Sequence, residues 1–324
     1  MGVLWDGASS WSLIRGPISE WRSGICLRNV PFPYPNGKGY DRGVKFGLAI
    51  SLTDRTIGPA EVARLAEERG FESLFVSEHT HFPASVADQH PGATFPDAYT
   101  RTLDPVVALT AAAAVTERLR LGTAVMLVAQ HEPLVTAKAL ASLDLFSGGR
   151  LEIGAGAGWL EGELANHGVA YGTRFGHLRE HVAAMREIWR EEVASFEGEH
   201  VRFDRVWSWP KPVQVGGPPV LIGGDGPKVL DRVLAWGDGW LPRAPGGLDE
   251  LAPRVRELNE RCDAAGRPRV PVTLYGAASD PASLEAYEEL GVDRGLFKLP
   301  SAGAGDVERA LDELVAAVQS PTVS

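Results

Sequence analysis

Cysteine is nearly absent: Cys26 and Cys262 are the only two in 324 residues. That excludes a disulfide framework, and their separation excludes the paired spacing of a zinc site, so no metal is expected. Long apolar runs are missing as well. The Ala-rich stretch from Val106 to Val115 falls far short of the ~20 residues that cross a bilayer. The N-terminus lacks the basic start and apolar core of a secretory signal. No membrane association is expected, and a reducing cytoplasm fits the cysteine usage. Positive charge is not in excess either: 32 Lys and Arg against 42 Asp and Glu leave a net charge of −10. Nucleic acid is therefore not an expected partner, because phosphate binding needs clustered cations. The arginines alternate with acids, as in EVARLAEERG, which reads as solvated helical faces.

What is present falls into two parts. Residues 1–43 are crowded with Pro, Gly, Ser and Trp and follow neither a helical nor an alternating period. This segment is expected to be an irregular or disordered extension, dispensable to a domain spanning residues 44–324. From Val44 the pattern changes to apolar strand-like runs, each followed by a helical period: VKFGLAISL then PAEVARLAEERG, FESLFVSEH then LDPVVALTAAAAVTERL, and so on to VDRGLFKLP and DVERALDELVAAVQ. Only SFEGEHVRFDRVWSWPKPVQVGG reads as irregular. Eight strand–helix units predict an α/β protein with a (β/α)8 TIM barrel. A doubly wound open sheet is the alternative, but it would carry a glycine-rich turn after the first strand, where SLTDRT stands.

A barrel of this kind does its chemistry where strands end and loops begin. The second strand leads into Glu78-His79-Thr80-His81, an acid and an imidazole in which Glu78 is expected to orient His79. The HxH spacing also occurs in metal-dependent hydrolases, but no later strand end supplies the further histidines. The fourth strand runs into Gly154-Ala155-Gly156-Ala157-Gly158-Trp159-Leu160-Glu161, whose glycines permit close approach of a flat or phosphorylated ligand. Trp159 occupies the sixth position of a would-be dinucleotide fingerprint and spoils it. The fifth strand ends in Gly223-Gly224-Asp225-Gly226-Pro227, an anion site or a helix cap by Asp225. His177-Leu178-Arg179-Glu180-His181 matches a zinc-protease spacing, yet its flanking arginines point to a solvated helix.

Taken together, GTAVMLVAQHEPLVTAKALASLDLFSGGRLEIGAGAGWLEGE, FEGEHVRF and PVLIGGDGPKVLDRVLAWGDGWLP resemble the luciferase-like monooxygenase superfamily, and SEHTHFP its branch using the deazaflavin coenzyme F420. The resemblance implies a bacterial-luciferase-like barrel, coenzyme F420 or alternatively FMN at its C-terminal mouth, a small-molecule substrate and a homodimer. It implies that His79 with Glu78 stands beside the redox-active ring, and that Ala124-Val125-Met126 forms a bulge behind it. It places Ala157, Gly158 and Trp159 along the cofactor, Gly223, Gly224 and Asp225 at its phosphate, and Arg174 at its phosphate or tail. Sugar-phosphate dehydrogenases of this branch carry Glu where this chain has Trp159, which leaves Glu161 as a substitute acid.

Overall fold

The computed structural model describes residues 43–89, 95–244 and 247–319. Apart from Gly43, the N-terminal segment expected to be irregular lies outside them. Ten strands are described: β1 (Lys45–Ile50), β2 (Ser73–Val76), β3 (Arg120–Thr123), β4 (Leu151–Ala155), β5 (Ala194–Glu197), β6 (Arg202–Val206), β7 (Val220–Gly223), β8 (Gly239–Leu241), β9 (Thr273–Tyr275) and β10 (Arg294–Lys298). All except β5 and β6 are parallel and pair in the order β8-β7-β4-β3-β2-β1-β10-β9. Bridges Trp240↔Val272 and Arg243↔Tyr275 join β8 to β9. The sheet thus closes into the expected (β/α)8 barrel, which leaves no strand edge open.

Alternation along the strands sorts side chains into two cores. Leu48, Leu74, Val76, Ile153, Ile222 and Phe297 point out beneath the helices. Ala49, Phe75, Leu221, Leu241 and Leu296 fill the interior, with Val125 and Tyr275 packed on them. Interior glycines make room for the larger members: a Cβ on Gly122 would run into the Phe75 ring.

The same parity puts Arg294 and Glu152 inside the barrel near the N-terminal ends of their strands. The Arg294 guanidinium binds Glu72 and Glu152, at 2.8 Å to each carboxylate, and Glu152 also pairs with Arg120. Burial pushes the Glu152 carboxyl up, but the charges and hydrogen bonds of Arg294 and Arg120 more than reverse this and hold it at about 2. This end of a barrel serves stability, and the opposite end chemistry.

Two expectations are corrected here. The stretch expected to be irregular contains an antiparallel hairpin, β5 with β6, in which Phe196 pairs with Phe203. The hairpin packs outside the barrel and is mostly exposed, so its strands lack the one-sided apolar face that marks a strand in sequence. The His177–His181 segment is not a solvated face. Glu180 and His181 are buried in the helix Arg174–Arg190. The Glu180 carboxylate accepts the backbone N–H groups of Glu199, His200 and Val201 at the hairpin turn, and His181 Nδ1 lies 2.9 Å from the Val128 carbonyl. Glu180, Glu199 and His200 bring donor atoms within 4.8 Å of one another, but both Glu180 oxygens already accept hydrogen bonds.

Candidate functional site

At the C-terminal mouth of the barrel lies a cavity of about 710 Å³. Strand parity explains its lining: residues two beyond the last buried interior layer, Ser51, Ser77, Arg243 and Lys298, emerge into it. Ala124 and Val125 form its floor on the β3 side. Between the pairs Gly122↔Glu152 and Met126↔Ala155, β3 advances by one residue more than β4, so the segment is a bulge. The Ala124–Val125 peptide within it is cis. Val125 is lodged between two glycines: a Cβ on Gly156 would lie 2.5 Å from one of its methyl carbons, and a Cβ on Gly223 2.6 Å from the other.

Gly223 thus has a steric role that the sequence did not reveal. Gly223→Ala is expected to displace Val125 and weaken cofactor binding without unfolding the barrel, and Val125→Ala in the same chain to restore it. Fluorescence titration of cofactor with a parallel melting curve checks both.

Two carboxylate–imidazole pairs border the cavity, and they are not the pair expected. Glu78 does not bind its neighbour His79. Its buried carboxylate accepts the backbone N–H of Leu127, just beyond the bulge, and its other oxygen lies 2.8 Å from His131 Nε2. Burial lowers the His131 pKa, but the hydrogen bond and charge of Glu78 outweigh it and raise the imidazole above its ordinary value. Glu78 therefore fixes the bulge segment. His79 pairs instead with Glu163, Nδ1 to Oε2 at 3.0 Å. The Glu163 side chain is 0% exposed. Burial raises its carboxyl, and the His79 hydrogen bond and charge more than compensate and lower it. Glu78 and His79 lie just beyond the end of β2, and each takes a different partner. The sequence reading named neither His131 nor Glu163, the partners the fold brings to Glu78 and His79. The one available signal was that Glu163 shares a helical face with Leu160 and Leu164.

His79 meets Tyr99 and Trp159 edge to face, with ring centroids at 5.3 and 6.0 Å. Trp159 and Gly158 line the cavity, whereas Ala157 is buried in the core. Met126 is likewise core, beneath the bulge. Glu161 stands exposed in the first turn of the helix Glu161–Asn166, outside the cavity lining. Gly224, with φ +118, lines the mouth, and the space where a Cβ would sit is open. Asp225 caps no helix. The following helix, Val229–Trp236, takes Lys228 at its N-cap, and Asp225 accepts the Arg243 backbone N–H at 2.7 Å and its Nε–H at 2.9 Å.

Arg174 opens the helix Arg174–Arg190, and Arg232 lies in the first turn of Val229–Trp236. These helices follow β4 and β7, which are neighbours, so both arginines stand at the mouth. Their guanidiniums lie over the Phe175 ring, at 4.6 and 3.5 Å from its centroid. Neither makes an ion pair among the described residues, and the buried Arg174 Nε has no hydrogen-bond partner there. Burial and the neighbouring Arg174 charge both lower the Arg232 pKa. Two unpaired cations beside two helix N-termini fit a phosphate.

Residues 58–309 match the model of the luciferase-like monooxygenase family. An uncharacterized protein of Mycobacterium tuberculosis is 43% identical over 84% of this chain and 97% of its own length. The F420-dependent glucose-6-phosphate dehydrogenase 1 of Rhodococcus jostii is 33% identical over 68% of this chain, a match that spans 64% of that protein. Among solved structures, an F420-dependent secondary alcohol dehydrogenase in complex with an F420–acetone adduct superposes with a TM-score of 0.66 at 18% identity, over 86% of this chain and 99% of that one. The chain belongs to the luciferase-like monooxygenase family.

Proposed function

We propose that this enzyme is an F420-dependent oxidoreductase that moves a hydride between the deazaflavin and a small organic substrate, with His79 as its proton partner. The observation that carries the reading is the His79 imidazole, which faces the cavity with its Nδ1 tied to a buried carboxylate. Relatives that use F420 support the choice of cofactor. When bound, the deazaflavin supplies the carbon that gains or loses the hydride. The chain's own residues do the rest. Val125 and Gly224 leave room for a flat ring and its tail, Arg174 and Arg232 hold a phosphate, and Trp159 and Tyr99 wall the cavity. His79, held by Glu163, takes or gives a proton at Nε2. A sugar phosphate is not the substrate proposed, because Trp159 occupies the place of the acid and the exposed Glu161 does not replace it.

The test is to mix the protein separately with F420 and FMN and read the absorption and mass of what is retained. Retention of FMN alone would turn the reading toward an oxygen-inserting monooxygenase. Arg232→Met with Arg174→Met is expected to weaken F420 binding by roughly 10²-fold, the sum of two charge-assisted contacts. Unchanged affinity would remove the pair from the phosphate site.

A second copy of the chain is the proposed partner. The helices Pro105–Ala113 and Pro133–Ser147 carry apolar residues on their outer sides too, where Val107, Val135 and Phe146 are each about two-thirds exposed. Helices of that composition are normally covered. Phe146→Glu with Val135→Glu is expected to convert a dimer to monomer in sedimentation. No helix among the described residues is long and apolar enough to cross a membrane.

A further inference from the structure

Glu163 poses a question that orienting His79 does not answer. It is sealed from solvent, yet the imidazole it holds must lose or regain a proton in every turnover. Its second oxygen leads outward. Glu163 Oε1 accepts the Thr80 backbone N–H at 3.0 Å and its hydroxyl at 3.3 Å. The same hydroxyl oxygen lies 2.8 Å from His167 Nε2 and 2.9 Å from His81 Nδ1. His81 Nε2 lies 2.8 Å from the Asn166 amide nitrogen, which can only donate, so the neutral ring carries its hydrogen on Nδ1 and donates to Thr80. The Thr80 hydrogen is then left with two acceptors, the Glu163 carboxylate and the His167 imidazole. Thr80 and His167 are both at the surface.

We propose that Glu163, Thr80 and His167 form a proton relay connecting His79 in the cavity with bulk water. It rests on the reading above that His79 exchanges a proton during turnover. In the releasing direction, His79 accepts a proton at Nε2 and passes its Nδ1 proton to Glu163 Oε2. The carboxyl group turns to present that proton to the Thr80 oxygen, whose own hydrogen moves to His167 Nε2. His167 then loses its Nδ1 proton to water. Glu163 and Thr80 end with the hydrogens they began with, His79 and His167 have each exchanged a hydrogen on Nδ1 for one on Nε2, and water has gained the proton that His79 took up. Running backwards, the same chain reloads His79. Burial and the neighbouring His81 lower the His167 pKa, which keeps it neutral and able to accept. The relay residues act through His79 and touch neither cofactor nor substrate.

The test uses the full chain labelled with 15N-histidine, in which solvent exchange of the His79 Nδ1 proton is measured by NMR near neutral pH. Thr80→Val removes the hydroxyl and keeps the shape and the backbone N–H, and is expected to slow exchange by roughly 10²-fold. Thr80→Ser is expected to keep the original rate. Glu163→Gln, which fills the same volume and cannot carry a proton, is expected to be as slow as Thr80→Val. Wild-type exchange in Thr80→Val, or slow exchange in Thr80→Ser, overturns the relay. Cofactor titration of the same samples keeps the two readings apart: a chain that binds neither F420 nor FMN overturns the proposed function and leaves the exchange result standing.

Discussion

Replacing His79 with alanine is expected to lower turnover by roughly 10²-fold or more while the cofactor stays bound, the range seen when a general acid or base is lost. The imidazole is the cavity-lining base best placed by its surroundings: Nδ1 is fixed on Glu163 at 3.0 Å, and Tyr99 and Trp159 hold the ring edge to face. Alanine also strips Glu163 of the first of the groups that lower its pKa, leaving a sealed carboxylate still bound by Thr80. Some loss of stability will therefore accompany the loss of turnover. His79→Gln separates the two effects, because its amide can still donate to Glu163 but cannot exchange a proton. It is expected to melt near the wild-type temperature and to be as slow as His79→Ala. The measurements are single-turnover rates on a substrate found by screening the loaded enzyme, with cofactor affinity and melting temperature in parallel. Full turnover in His79→Gln would remove His79 from the chemistry.

Arg294→Met is expected to destabilise the fold by about 3–5 kcal/mol, because it takes from the buried Glu152 and the half-buried Glu72 the cation that binds both oxygens of each. In a domain of this size that lowers the melting temperature by roughly 10 °C. Arg294 makes two contacts to each of Glu72 and Glu152, all at 2.8–2.9 Å, whereas Arg120 touches one Glu152 oxygen and stays 4.0 Å from Glu72. The same cluster sets an acid limit. With the Glu152 carboxyl at about 2 in the fold against an ordinary 4.5, the unfolded chain binds more protons between those values. The contribution is complete above the ordinary value and fades as pH falls toward the folded one. Melting temperature in wild type is therefore expected to drop from about pH 5 downward, and that drop to be smaller in Glu152→Gln. A melting temperature unchanged in Arg294→Met would show that the cluster is not what holds the barrel floor.

Much of the barrel was legible because its signal is local. Leu48, Leu74, Ile153 and Ile222 sit in short apolar runs bounded by helical periods, and such runs report burial on both faces wherever the chain goes. The hairpin β5–β6 was not legible because it lies outside the core, so Phe196 and Phe203 stand among Glu, Arg and Asp with no apolar side. The HxxEH helix was misread for the opposite reason. Arg179 and Arg186 are what a solvated helix shows, and only the fold brings residues 199–201 over Glu180.

The sequence alone determined the eight strand–helix units, their order around the barrel, and the strand ends from which any site had to be built, because alternation and helical period are properties of consecutive residues. It also singled out His79, Gly223 and Arg174 as positions to examine. Only the tertiary structure decided who pairs with whom. Glu78 takes His131 and His79 takes Glu163, 53 and 84 residues away; Val125 fits between Gly156 and Gly223; Arg174 meets Arg232 across Phe175. Hydrogen bonds and steric fit act over a few ångströms in space, and the distance along the chain between such partners is set by the closing of the barrel, which no local pattern records.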